Sequence, residues 1–261
     1  WLERSAVDAG IDGAHDKHLV LARSISLAIS RYLRDVESIV NHVRGQYALG
    51  TEMYGKSSLI ADANIRFIAR LNTNMSIKQQ LAASGDAVAH ALPPALRRAL
   101  SRTFAAAEVR PGFSVISPTL FNANQSPSIY LITAERDGGF TLAEVSTAYL
   151  VELQKSIQFG HGGHAAIVDA LGRVMAHPKA AWRAGIQDIS AVEPVRRMMA
   201  GQSGVVVFHS PAVGKEMIAG YVVEPRSGWG IMVPQPYQEL IAEARANFTG
   251  QILIIVIATL L

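Results

Sequence analysis

Few side chains in this 261-residue chain are placed to do chemistry, and they can be taken one at a time. His161 and His164 are three apart, with Asp169 nearby. Two histidines at that spacing converge on a metal only from a helix, and Gly162 and Gly163 between them predict a loop, so no metal is expected. Ser203-Gly204 and Ser210-Pro211 lack the strand–turn–helix setting of an activated serine. No glycine-rich loop between a strand and a helix stands ready to cradle phosphate. No two carboxylates stand out as an acid and a base. The absence of cysteine removes thiolate catalysis, disulfides and Cys-ligated zinc. Arg102 is of a different kind. Its guanidinium fork matches a carboxylate in two hydrogen bonds, although beside Arg97 and Arg98 it also reads as a solvated helix arginine. These residues suit binding rather than catalysis, and no catalytic residue or cofactor is expected.

The elements that must position such residues come from a globular composition, 49% hydrophobic and 17% charged. The net charge is only +3, the basic residues form no run, and aromatics are not interleaved with them, so nucleic acid is excluded as a partner. Absence of cysteine fits an oxidising compartment. Residues 252–261 are apolar without a charge. A bilayer span needs about 20 such residues, so this run reads either as part of a transmembrane helix, the favoured reading, or as a buried C-terminal helix. The start at Trp1 rather than Met reads as a fragment, with an earlier membrane span expected upstream.

Within the chain, residues 16–43 have a helical period. Ile25, Ile29, Tyr32, Val36, Ile39, Val40 and Val43 fall on one face. A helix of roughly 30 residues is about 45 Å long, more than a small domain, which predicts a stalk along more than one module. Gly45 and Gly50 mark its expected stop. The same stripe could serve a parallel dimer contact or packing on the chain's own modules. Strands are predicted at 65–71 and 75–80, joined by Asn72-Thr73-Asn74, and a helix follows from Pro93-Pro94 to about 109. Further strands are predicted at 113–117, 128–134 and 140–146, the last two antiparallel across Asp137-Gly138-Gly139. A helix at 147–159 closes this set. The order then repeats: a hairpin at 164–177 turning at Asp169–Gly172, a short helix at 195–200, strands at 205–209, 216–223 and 229–233, and a helix from 237 to 261. In that hairpin Asp169 is read as the turn residue, and His177 as closing the end through local hydrogen bonds.

Four segments carry a resemblance. GHAAIVDALGRVMAHP at 163–178, SGVVVFHSP at 203–211, MIAGY at 217–221 and SGWGIMVPQP at 227–236 resemble the membrane-proximal half of a double Cache domain, the extracytoplasmic sensor of bacterial receptors. In the distal half, Asp137-Gly138-Gly139-Phe140 resembles a family turn, and Glu144-Val145-Ser146 stands where many members have Asp-Ile-Ser. Asn72-Thr73-Asn74 replaces the family's D-x-x-G turn, and Arg102-Thr103-Phe104-Ala105 supplies its Arg with one aromatic rather than two.

The resemblance implies an α+β fold: a long N-terminal stalk helix and two stacked PAS-like modules, each an antiparallel sheet flanked by helices. The implied divisions are a stalk at 1–55, a distal module at 56–158, a proximal module at 159–236, and at 237–261 a helix entering the membrane. It implies the periplasmic ligand-sensing domain of an inner-membrane receptor, a sensor histidine kinase, working as a homodimer. A chemoreceptor, a diguanylate cyclase, or a membrane-anchored module without ligand sensing are the alternatives. The implied ligand is a small carboxylate or amino acid in the distal module. Arg102 would hold its carboxylate and Arg70 would add a second positive group. Phe104 would form an apolar wall, Ser117 and Tyr130 would offer hydroxyls, and Glu144 would pair with an ammonium. Glu144 in place of the shorter Asp leaves a mono- or dicarboxylate without an amine equally open. The proximal module would relay the signal.

Overall fold

The computed structural model describes residues 2–49, 57–83, 92–107, 110–160 and 162–260. In chain order the elements are α1 (Leu2–Leu49), α2 (Ser57–Asp62), β1 (Ile65–Leu71), β2 (Ile77–Ala82), α3 (Pro94–Ala107), β3 (Ser114–Ile116), β4 (Leu120–Phe121), β5 (Pro127–Ala134), β6 (Phe140–Ser146) and α4 (Ala148–Lys155). There follow β7 (Gln158–Phe159), β8 (Gly163–His164), β9 (Ala166–Val168), β10 (Val174–Ala176), α5 (Ala180–Ala184), α6 (Glu193–Met199), β11 (Gly204–Ser210), β12 (Lys215–Val223), β13 (Gly230–Pro236) and α7 (Tyr237–Leu260). This is an α+β fold with a long N-terminal helix and two antiparallel sheets. Two compact units share it: a first unit of residues 28–152 and 180–187, and a second of 1–27, 153–179 and 188–261.

In the first unit the sheet order is β2-β1-β6-β5-β3, with β4 also on β5, every pair antiparallel. Strand alternation sends successive side chains to opposite faces. Ile68, Leu131, Ala143 and Val145 meet Tyr32, Val36, Val40, Val43 and Tyr47 of α1. Phe67, Ala69, Tyr130, Ile132 and Leu142 meet Leu96 and Leu100 of α3. The sheet is therefore a middle layer between two helices.

The predicted stripe on α1 is buried within the chain from Ile25 to Val43, with Ile39 partly so. It is a packing face, which removes the alternative of the same stripe as an open dimer seam. The helix runs past Gly45, the first of the two glycines expected to stop it, and ends at Leu49; Gly50 lies outside the described residues. A mid-helix glycine costs about 1 kcal/mol relative to alanine. Burial of Val43 and Tyr47 outweighs that, and the Tyr47 hydroxyl donates to the Ile68 carbonyl at 2.8 Å. Tyr32 stacks on Tyr149 at 4.2 Å and donates to the Ala63 carbonyl at 3.0 Å.

In the second unit the sheet order is β10-β9-β13-β12-β11, again antiparallel. The hairpin turn forms as predicted: Asp169 Oδ1 accepts from the backbone N–H of Leu171 at 2.9 Å and of Arg173 at 3.0 Å, and Gly172 takes φ +77°. His177 Nδ1 accepts from the Lys179 N–H at 3.0 Å, the local bond expected for it. One face of this sheet lies against α1 and α7. A Cβ on Gly220 of β12 would stand 2.5 Å from the backbone of His18 and Leu19, while Ile218 packs on Leu240. On that face His18 donates from Nε2 to Gln235 Oε1 at 3.0 Å, and Gln235 Nε2 lies 3.5 Å from Glu239 Oε1 on α7. The other face takes α6, with Met198 close on Gly230.

Three local expectations differ. The predicted strand 75–80 begins at Ile77, because Met75 takes a left-handed φ of +61° in the turn. The predicted helix 147–159 stops at Lys155, and Gly160 at φ +57° turns a two-stranded hairpin instead. Short β4 and α5 were not expected. No helix among the described residues is long and apolar enough to cross a membrane.

Candidate functional site

The α3-facing side of the first sheet holds a buried carboxylate. Tyr130 on β5 pairs with Glu144 on β6, and Phe67 on β1 also lies opposite Glu144. Ile65 pairs with Val145, so Arg66 is an extra residue in the β1 strand. Such a bulge re-aims a side chain that alternation would send the other way. Here it brings Arg66 Nε to 3.5 Å from Glu144 Oε1. The same oxygen accepts from Asn122 Nδ2 at 2.7 Å and Ser128 Oγ at 2.9 Å, and Oε2 accepts from the Tyr130 hydroxyl at 3.2 Å. Asn122 is itself held by its Oδ1, which accepts from the N–H of Asn124 and of Ser126, both at 2.9 Å. Burial, and next the Glu144 carboxylate, push the Tyr130 phenol far above its ordinary range, so it stays a donor. Glu144, only 4% exposed, is thus engaged by four side chains of its own unit.

A second place is the outer side of α3. Leu96 and Leu100 turn toward the sheet, which leaves Arg97, Arg98 and Arg102 exposed. With Ser101 they line a cleft of about 500 Å³. Among the described residues none of these three guanidiniums has an acidic partner. Ser101 Oγ donates back to the Arg97 carbonyl at 2.9 Å.

The residues named from the sequence therefore fall in several places. Tyr130 and Glu144 come together. Ser117 lies beside them, buried, but its hydroxyl accepts from the Tyr130 N–H at 3.0 Å and donates to the Pro118 carbonyl at 2.7 Å. Arg102 lines the α3 cleft. Arg70 pairs with Asp137 at 2.5 Å, in a polar cavity of about 260 Å³ with Asn72, Asn74 and Lys78. The Phe104 side chain lies outside the described residues, as does His161. Arg66, Asn122 and Ser128 were not foreseen. Ser128 shares a face with Tyr130 by simple alternation, so strand period alone could have found it. Among the described residues no group of three or more His, Asp or Glu could hold a metal.

This architecture, a long helix with two antiparallel sheets, is a fold shared with solved extracellular and periplasmic sensor domains of histidine kinases and chemoreceptors. The extracellular domain of rpHK1S-Z16, assigned to the histidine kinases, superposes with a TM-score of 0.70 at 11% identity, over 88% of this chain and 98% of that one. The periplasmic sensory domain of the Campylobacter jejuni chemoreceptor Tlp1 gives 0.64 at 11% identity, over 88% and 98%. The ligand-binding domain of the Pseudomonas aeruginosa amino acid chemoreceptor PctB, in complex with L-Arg, gives 0.58 at 17% identity, over 87% and 95%. No protein-family model matches the sequence, and no curated protein is significantly similar to it.

Proposed function

We propose that this chain is the extracytoplasmic ligand-sensing region of a membrane receptor, of the sensor histidine kinase type, and that its first unit binds a small carboxylate. The observation that carries the reading is the cleft on α3, where Arg102 stands with two further guanidiniums and, among the described residues, no acid. A guanidinium without an internal partner keeps both arms of its fork for a carboxylate. The shared fold supports the sensor role, and PctB, a chemoreceptor with that fold, is known in complex with L-Arg. In this chain, however, an ammonium brought to Glu144 must compete with Arg66, already 3.5 Å away. Acids without an amine are the better fit. Ligand binding then shifts the population between two arrangements of the first unit. Helices flanking the chain join it to the membrane, and two copies act as a homodimer.

The test is thermal unfolding of this chain against a panel of carboxylates and amino acids. A ligand that binds the folded state in excess raises the melting temperature by mass action. At least one acid should give a rise, and Arg102→Ala should abolish it. A flat response across the panel refutes ligand sensing, and an unchanged rise in the variant removes Arg102 from the site.

A further inference from the structure

We infer that the α3 cleft selects an anion carrying two or more negative charges, a small polycarboxylate or a phosphate compound. This rests on the reading of the first unit as the ligand receiver, and it names the ligand class.

The helix Pro94–Ala107 contains three arginines and no acidic residue. Its three positive charges equal the net charge of the whole chain, +3. Arg98 and Arg102 are four residues apart and Arg97 adjoins Arg98, so the three arginines fall within about one and a half helical turns. Like charges at that spacing destabilise a helix. Several arginines elsewhere are balanced: Arg70 meets Asp137, Arg173 meets Asp169, and Arg196 and Arg197 meet Glu193. On α3 the balancing charge is missing among the described residues, and the three guanidiniums border a shallow cleft open to solvent. Leu92, Leu96 and Leu100 seat the helix on the sheet, so the cluster has a fixed backing. The Ser101 hydroxyl is engaged by the helix itself, which leaves recognition to the guanidiniums. A monoanion can satisfy one fork. An anion with carboxylates or phosphate oxygens several ångströms apart can engage two or three, and neutralises the repulsion as well.

The test is titration calorimetry of the whole 261-residue chain at low and at near-physiological salt. The ligands are acetate, succinate, tricarballylate, inorganic phosphate, pyrophosphate and L-glutamine. Affinity should rise about tenfold with each added charge and fall with salt. Whether tricarballylate or pyrophosphate binds more tightly distinguishes a carboxylate from a phosphate ligand. The paired variant Arg97→Gln/Arg98→Gln should bring the best polyanion down to the level of acetate. Both residues are exposed, and a melting temperature of the free variant no lower than the parent's confirms its fold. If acetate or L-glutamine binds as tightly as any polyanion, or if the paired variant keeps full affinity, the inference is overturned while ligand sensing stands. If none of the ligands binds, and the wider panel is also silent, both fall.

Discussion

Gly220→Ala is the sharpest test of how the second unit is built. The added methyl would lie 2.5 Å from the His18 carbonyl carbon and the Leu19 nitrogen, and 2.7 Å from the His18 oxygen. All three are backbone atoms of α1, so no rotamer change relieves the clash. Ordinary contact requires a separation of about 3.5 Å or more, so α1 must move by about 1 Å. Overpacking of this kind costs about 1–3 kcal/mol. The shift also loosens the bond from His18 to Gln235, now 3.0 Å, worth about 1 kcal/mol more. A total near 3 kcal/mol lowers the melting temperature by roughly 6–12 °C in a domain of this size. Circular dichroism melts of parent and variant read this directly. A variant melting within about 2 °C of the parent would show that α1 does not lie against β12.

Gly45→Ala should act the other way, since nothing lies within 4 Å of its added methyl on α1. A gain of about 1 kcal/mol is expected in the same melts. Glu144→Ala removes the acceptor of Asn122, Ser128 and Tyr130 and the carboxylate facing Arg66. Breaking a buried pair from one side costs about 3–5 kcal/mol, which urea unfolding would read as a lower midpoint with little change in slope. Acid should weaken the fold through His18 and His164, whose rings burial holds below the usual 6.5. Below that value the unfolded chain binds more protons than the folded one, so stability is level above about pH 7 and falls as pH drops from 6.5 through the two folded values. Melts between pH 7.5 and 5 should show that slope, and His18→Gln should flatten it.

Much of this fold was legible because burial writes a period into the sequence. The α1 stripe from Ile25 to Val43, the strands β5 and β6 on either side of a glycine turn, and the Asp169–Gly172 turn all follow from local chemistry. Glu144 and Tyr130 could be placed together because antiparallel neighbours across Asp137-Gly138-Gly139 have a countable register. Arg66 could not. Simple alternation puts it on the face opposite Phe67, and only the bulge at Ile65–Phe67 turns it toward Glu144. The continuation of α1 through Gly45 was hidden for a similar reason: the residues that hold it, Ile68 among them, are distant in sequence. At Arg102 the local chemistry was plain, but its separation from Glu144 depends on which side of α3 meets the sheet.

The central claim is that the first unit receives a ligand at α3. Hydrogen–deuterium exchange of the whole chain, with and without saturating amounts of the acid that most raises its melting temperature, tests it most directly. The expected result is the strongest slowing of exchange in Pro94–Ala107 and the strands behind it. Slowing confined to the sheet of β9–β13, with α3 unchanged, would contradict the account.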